Sequence, residues 1–192
     1  MMKTGRLEAF SDGVLAIIIT IMVLGMTAPD GYTFEALKPI LPVFLTYVLS
    51  FIYVAIYWNN HHHLLQAVNK VNGKILWANL NLLFWLSLFP FVTDWMGKNH
   101  FEDNPTAVYG AVLFMAAVAF KILVYFVIQN EGKDSNIGKV YSKDKKMNLS
   151  LVLYFLGVIT SFFFPIGSLF IYLSVALMWI VPDPRIEKTI KE

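Results

Sequence analysis

Several ionisable or strongly polar side chains of this sequence stand within or beside long apolar runs, where such groups are rare. They are Arg6, Ser11, Asp12, the run His61, His62 and His63, the pair Asn79 and Asn81, and Lys121. A carboxylate, imidazoles and an amine can form an acid/base set, a metal site or a network of ion pairs that guides cations. The spacing of these residues decides among the three.

Catalysis and metal binding are the weaker interpretations. No nucleophile motif or phosphate-binding loop accompanies the polar residues, and the chain has no Cys. Neighbouring histidines on a helix point about 100° apart, so His61 to His63 rarely converge on one ion, and metal-binding pairs prefer spacings such as i and i+4. We therefore expect no enzyme activity, no metal and no cofactor.

The elements that carry these residues belong to a membrane protein by composition. Hydrophobic residues make up 57% of the 192 residues, charged residues make up 15%, and the mean hydropathy is +0.61. Soluble domains carry about 25% charged residues. The net charge of +2 is too small to indicate a nucleic-acid partner.

A spanning helix needs about 20 mostly apolar residues, and six segments qualify. They cover residues 7–27, 39–61, 75–96, 106–129, 147–163 and 166–181. Residues 1–192 are therefore predicted to form a single all-α domain of six transmembrane helices. The last two segments are short, and Pro165 and Gly167 between them favour a tight hairpin.

The basic residues predict the orientation. With a cytoplasmic N-terminus, twelve of the fifteen Lys and Arg fall on the cytoplasmic side. They are Lys3, Arg6, Lys70, Lys74, Lys133, Lys139, Lys143, Lys145, Lys146, Arg185, Lys188 and Lys191. Lys38 and Lys98 fall outside, and Lys121 lies within the fourth segment. The positive-inside rule therefore puts both termini in the cytoplasm.

Two further features of the chain bear on this topology. An alternative is that residues 1–28 are a cleaved signal peptide, which would leave five spans. The segment 130–146 is expected to be a solvated cytoplasmic linker.

This topology places the polar residues at one level near the cytoplasmic side. We expect Asp12 to pair with Lys121 or with a histidine, because intramembrane charges usually face the bundle interior and pair. Lys121 could instead extend to the interface. The level is either a purely structural layer or part of an ion entry, and the pattern leaves both open.

The stretch RLEAFSDGVLAIIIT (residues 6–20) resembles the RxxxFSD signature of the transmembrane protein 175 family of endolysosomal potassium channels and their prokaryotic relatives. Arg6, Phe10, Ser11 and Asp12 match the signature. The stretches YWNNHHHLL (57–65) and WANLNLLFWLSLFPF (77–91) resemble the family's second and third helices.

The resemblance implies a homotetramer of six-helix subunits in a prokaryotic cell membrane, with a pore lined by the first helix. Ile17 would form the apolar constriction, with Thr20, Ile21 and Leu24 as rings toward the outside. Arg6, Ser11 and Asp12 would hold the cytoplasmic end of this helix, with Asn79 and one of His61, His62 and His63 as partners. Permeant K⁺ and other monovalent cations would be the only ligands.

The residues agree with this implication in one respect. No TVGYG-type carbonyl filter occurs in the chain, so a potassium channel of that design is excluded. The alternative is a proton- or cation-coupled secondary transporter. It is disfavoured because we find no inverted repeat and no pair of helices broken at the midplane.

Overall fold

The computed structural model describes residues 4–68, 70–141 and 145–180, and the elements of this part of the chain are helices. They are α1 (Thr4–Leu24), a 3-10 helix (Phe34–Ile40), α2 (Leu41–Gln66), α3 (Gly73–Ser87), α4 (Phe89–Lys98), α5 (Asp103–Glu131), α6 (Asn136–Tyr141), α7 (Lys145–Ser161) and α8 (Pro165–Ile180). Five basic residues used for the orientation, Lys3, Lys143, Arg185, Lys188 and Lys191, lie outside the described residues, as does position 181 of the last predicted span.

Prolines and a capping side chain explain several helix boundaries. The Asn72 side chain accepts a hydrogen bond from the backbone N–H of Ile75 at 3.0 Å and caps α3, which is the usual role of Asn before a first turn. Pro90 stands in the first turn of α4. Because proline lacks an N–H and its ring clashes with the preceding turn, α3 ends before it and the chain restarts as α4.

Four stretches are long and apolar enough to cross a membrane: Thr4–Leu24, Phe34–Gln66, Gly73–Lys98 and Asp103–Glu131. The helices α7 and α8 have 17 and 16 residues and are shorter than the 20 or so that a full span uses. The chain is therefore a multi-pass membrane protein.

The helix α5 lies at the centre of the bundle and packs against α3, α4, α7 and α8. Two glycines allow α5, α7 and α8 to approach closely: a Cβ at Gly110 or at Gly157 would collide with the ring of Tyr172. The helix α1 packs against α2, α3 and α4. It therefore lies at one edge of the bundle.

The structure corrects three sequence expectations. Residues 130–146 are not simply a solvated linker, because α6 lies within them and buries Ile137, Val140 and Tyr141. The predicted third span is two helices, α3 and α4. The second helix runs five residues past its predicted end at residue 61, so the histidine run lies inside α2.

Candidate pore helix and its polar cluster

The helix α1 has one buried face and one uncovered face. The buried residues recur every three or four positions, as expected for one side of a helix; they are Leu7, Ser11, Leu15, Ile18 and Met22. The uncovered face carries the predicted pore residues: Ile17 is 58% exposed, Ile21 48% and Leu24 77%. The Thr20 side chain is also exposed on this face, and its hydroxyl donates to the carbonyl oxygen of Ile17 at 2.8 Å.

The buried face of α1 is tied to α3 and α2 by a chain of hydrogen bonds. The Asn79 Nδ2 donates to Ser11 Oγ at 2.9 Å, and the Ser11 hydroxyl donates to the Leu7 carbonyl at 2.8 Å. The Asn79 Oδ1 lies 2.6 Å from Nε2 of His61. Because that amide oxygen can only accept, His61 carries its proton on Nε2 and donates.

All three linked side chains are buried. The chain thus runs in one direction, from His61 on α2 through Asn79 on α3 to Ser11 on α1. It joins the three helices at a point where water is excluded. The Nδ1 atom of His61 is buried and has no partner among the described residues.

A second, half-exposed set links α1 to α2. The Glu8 Oε1 lies 2.7 Å from Nδ1 of His62, and Nε2 of His62 lies 2.8 Å from Nε2 of Gln66. The His62 ring stacks on the ring of Trp58, with centroids 5.8 Å apart and planes inclined by 17°. The ring of His63 follows at a centroid distance of 5.6 Å from His62.

The predicted partners of Asp12 are corrected. The Asp12 Oδ1 accepts a hydrogen bond from Trp58 Nε1 at 3.0 Å, not from a lysine or a histidine. The Lys121 Nζ donates instead to Asn148 Oδ1 on α7 at 2.7 Å. Lys121 stands on α5, a helix that packs against α7, and so is not part of the polar cluster on α1 to α3. The members of this cluster are Glu8, Ser11, Asp12, Trp58, His61, His62, Gln66 and Asn79.

The remaining predicted residues lie at the margins of the cluster. Phe10 and Arg6 are exposed, and Arg6 makes no hydrogen bond or ion pair within residues 4–68, 70–141 and 145–180. Asn81 is half-buried, two positions beyond Asn79 and on another side of α3. Of the two asparagines, only Asn79 therefore belongs to the polar cluster.

Two cross-linking members of the cluster, Glu8 and Trp58, were not expected from the sequence. Their signal is the spacing: Glu8 and Asp12 are four residues apart on α1, and Trp58 and His62 are four residues apart on α2. Side chains at i and i+4 share a helix face. Two such pairs on neighbouring helices predict two cross-links, which is what the structure contains.

The arrangement favours holding a helix over catalysis or metal binding. In the described part of the chain, no three His, Asp or Glu side chains are grouped so as to hold a metal ion. The polar groups bond to one another across α1, α2 and α3, while the apolar stripe of α1 stays uncovered. The helix α1 thus has one face fixed to α2 and α3 and one face that the described residues leave largely uncovered.

Comparison with known proteins identifies the family. The sequence profile described as "Endosomal/lysosomal potassium channel TMEM175" matches residues 6–90. A potassium channel from Chryseobacterium sp. (strain P1-3) is 56% identical over 191 residues, which cover 100% of both chains. The mouse endosomal/lysosomal proton channel TMEM175 is 28% identical over 109 residues, which cover 54% of this chain and 21% of the mouse protein.

The fold has a counterpart among solved structures. The crystal structure of a TMEM175 homologue from Chamaesiphon minutus, described as a lysosomal potassium-selective channel homologue, superposes with a TM-score of 0.80 at 25% identity. The superposition covers 92% of this chain and 96% of that one. The chain belongs to the TMEM175 family, whose members are ion channels and not enzymes.

Proposed function

We propose that this chain is the subunit of a potassium-permeable cation channel in which four copies of α1 surround the ion path. The observation that carries the proposal is the uncovered apolar stripe of α1, opposite a face that is tied to α2 and α3. The full-length match to a protein named as a potassium channel supports K⁺ as the permeant ion.

The stripe suits a pore wall without a carbonyl filter. Around a four-fold axis, the Ile17 side chains form the narrowest apolar ring, and Ile21 and Leu24 form wider rings toward the outside. An apolar constriction of this kind gates by dewetting. Conduction requires the four helices to separate enough for water to enter.

Selectivity in such a pore is modest. With no ring of carbonyls to replace the hydration shell, K⁺ is favoured over Na⁺ because it loses its water more readily. The Thr20 hydroxyl directs its proton to the Ile17 carbonyl, which leaves oxygen lone pairs available to a passing cation. This is one polar ring within an apolar path.

The polar cluster fixes the cytoplasmic end of the pore helix α1. The bonds of Ser11 to Asn79 and of Asp12 to Trp58 hold the cytoplasmic end of α1 against α3 and α2. Movement of α1 that opens the Ile17 ring therefore has to bend above these bonds or break them. Arg6 and Phe10, exposed at the same end, face the lipid or the neighbouring subunits.

The proposed topology has six helices in the membrane and both termini in the cytoplasm of a prokaryotic cell. The described basic residues that support it include Lys70, Lys74, Lys133, Lys139, Lys145 and Lys146. All of these lie in or next to connections at the end of the bundle where α1 begins. The positive-inside rule puts that end in the cytoplasm.

Single-channel recording distinguishes this function from a coupled transporter. The purified protein is placed in a planar bilayer with K⁺ on one side and Na⁺ on the other. We expect discrete openings and a reversal potential that favours K⁺. Saturable uptake that requires a counter-ion, with no discrete openings, would contradict the channel.

Substitution of Ile17 tests the pore wall. Ile17→Asn puts a polar ring at the constriction, and we expect a larger current with a smaller preference for K⁺. Ile159→Asn is the matched control, because Ile159 is 44% exposed on α7, which is not among the helices packed on α1. Equal currents and selectivities in the two variants would show that Ile17 does not line the narrow point.

A further inference from the structure

The connection between α7 and α8 differs from the other connections at its end of the bundle. Residues 147–182 contain no Asp, Glu, Lys, Arg or His. The connection after α1 carries Asp30, and the one after α4 carries His100 and Glu102. The α7–α8 connection is instead three phenylalanines, Phe162 to Phe164, all of them exposed.

The two helices are too short to bring this connection out of a bilayer. An α-helix rises 1.5 Å per residue, so the 17 residues of α7 reach about 25 Å, against a hydrocarbon core of about 30 Å. The start of α7 and the end of α8 lie at the same level. The Lys146 Nζ lies 3.4 Å from the Met178 carbonyl, and Trp179 Nε1 donates to Ser150 Oγ at 2.8 Å.

The neighbouring helix α5 reaches further out than the connection. Val158 lies beside Gly110, because a Cβ on that glycine would stand 3.0 Å from Val158 Cγ2. From this level α5 continues for seven residues to Asp103, or about 10 Å. Helix α7 continues from Val158 for only three residues to Ser161, or about 4.5 Å. The N–H groups of the next three residues then turn back to the carbonyls of Ile159 and Thr160. The connection thus stops short of the polar start of α5.

The backbone N–H groups of the connection find acceptors within the turn itself. The N–H groups of Phe162 and Phe163 donate to the carbonyls of Ile159 and Thr160 at 3.4 and 3.0 Å. The N–H of Phe164 donates to Thr160 at 2.7 Å, and the Ser168 N–H donates to Phe164 at 3.3 Å. A backbone N–H at membrane depth needs an acceptor within the protein, and the N–H groups of Phe162 to Phe164 each have one.

We propose that the α7–α8 connection does not emerge into water but is embedded in the outer leaflet, where Phe162 to Phe164 contact lipid acyl chains. The last two helices are then an embedded hairpin beside four full spans. The orientation proposed above decides only which leaflet is occupied. The embedding follows from the lengths of the helices, the lack of charged residues and the internal acceptors of the N–H groups in the turn.

The absence of Cys makes a clean experiment possible. Phe163→Cys places a thiol on the connection at a residue that is 84% exposed, so the change removes little packing. Tyr32→Cys is the matched control, an aromatic residue that is 101% exposed in the connection after α1. Each full-length variant is reconstituted in liposomes and given a nitroxide spin label. Its collisions with oxygen, which concentrates in lipid, and with a water-soluble nickel chelate are measured.

The labelled connection should collide frequently with oxygen and rarely with nickel, whereas the label at position 32 should show the reverse. A membrane-impermeant maleimide should react at least about tenfold more slowly with Phe163→Cys than with Tyr32→Cys, because the reactive thiolate is disfavoured in apolar surroundings. Nickel collisions at position 163 as frequent as at position 32 would overturn the proposal. Rare collisions with both reagents at position 163 would also overturn it, because they would mean that protein, such as a second copy, covers the connection.

Neither result depends on conduction. A channel that does not conduct K⁺ leaves the collision pattern as it is. A connection found in water leaves the pore proposal as it is.

Discussion

The Asn79 side chain links His61 to Ser11 in the buried hydrogen-bond chain. Replacing Asn79 therefore tests whether that chain holds α1 in place. Asn79→Leu keeps the side-chain size but removes both bonds, 2.6 Å to His61 and 2.9 Å to Ser11. Ser11 still donates to the Leu7 carbonyl. The His61 Nε2–H is left without its acceptor in a side chain that is 2% exposed.

Two effects set the size of the loss. A buried donor without a partner costs about 1–3 kcal/mol. Within a membrane the unfolded reference state also finds polar partners, and measured side-chain bonds there average about 0.6 kcal/mol with a maximum near 1.7. Because the unfolded state also finds polar partners, the net loss is smaller than the full cost of an unpaired buried donor. We therefore expect Asn79→Leu to lower the free energy of unfolding by about 1–2 kcal/mol.

The assay is unfolding in mixed micelles at increasing SDS, followed by the fluorescence of the five Trp residues. A loss of about 1.4 kcal/mol changes the unfolding equilibrium constant tenfold, which the assay resolves. Asn81→Leu is the matched control, because Asn81 is half-buried on the same helix and makes no side-chain hydrogen bond among the described residues. We expect it to change the free energy of unfolding by less than about 0.5 kcal/mol.

A double-mutant cycle isolates the bond. His61→Phe combined with Asn79→Leu removes both partners, and replacing both by apolar groups of similar shape is far less costly than removing one. The two single losses should therefore exceed the loss of the double variant, with a coupling of about 1 kcal/mol. Additive losses, or an Asn79→Leu variant as stable as the parent, would refute the reasoning.

Two further predictions concern the packing and the edge of the cluster. Gly97→Ala would put a Cβ against the backbone of α2, whereas a Cβ at Gly5 meets nothing within 4 Å. Thermal unfolding in detergent should therefore show Gly97→Ala destabilised by about 1–3 kcal/mol and the control Gly5→Ala unchanged. Equal unfolding midpoints for the two variants would contradict the close packing. Trp58→Phe removes the bond to Asp12 and keeps an aromatic ring beside His62, and because Trp58 is exposed we expect a loss of less than about 1 kcal/mol. A loss as large as the one predicted for Asn79→Leu would mean that the Trp58–Asp12 bond holds the helix as strongly as the buried chain does.

Much of the fold could be read from local features of the sequence. The length and hydropathy of the apolar runs located the helices to within a few residues, because each spanning helix satisfies its own backbone and needs no partner to be recognised. The signature Arg6, Phe10, Ser11 and Asp12 indicated the family. Ile17, Thr20, Ile21 and Leu24, which the resemblance implied as pore residues, stand at i, i+3, i+4 and i+7 and so share one face of a helix. The structure leaves that face uncovered.

The breaks within the apolar runs and the hydrogen-bond partners of the polar side chains could not be predicted from local sequence in the same way. Proline at position 90 divides the third apolar run, and α6 lies in a segment whose charges favoured a linker. For Asp12, the predicted partners were wrong, although its actual partner Trp58 stands on the same helix as the histidine run. Several hydrogen-bond donors stand at similar heights on the neighbouring helices. Only the rotation of each helix about its axis decides which of them comes within about 3 Å of the Asp12 carboxylate.

The sequence by itself thus determined the class of protein, the approximate bounds of its apolar helices and the family, since these depend on composition, local period and a short signature. The tertiary structure decided that Asp12 pairs with Trp58, that Lys121 faces Asn148, and that Ser11, Asn79 and His61 form one chain. The physical reason is that a side-chain hydrogen bond requires two atoms within about 3 Å at a suitable angle. That condition is set by how helices are rotated and packed against one another, and residues far apart along the chain carry no local trace of it.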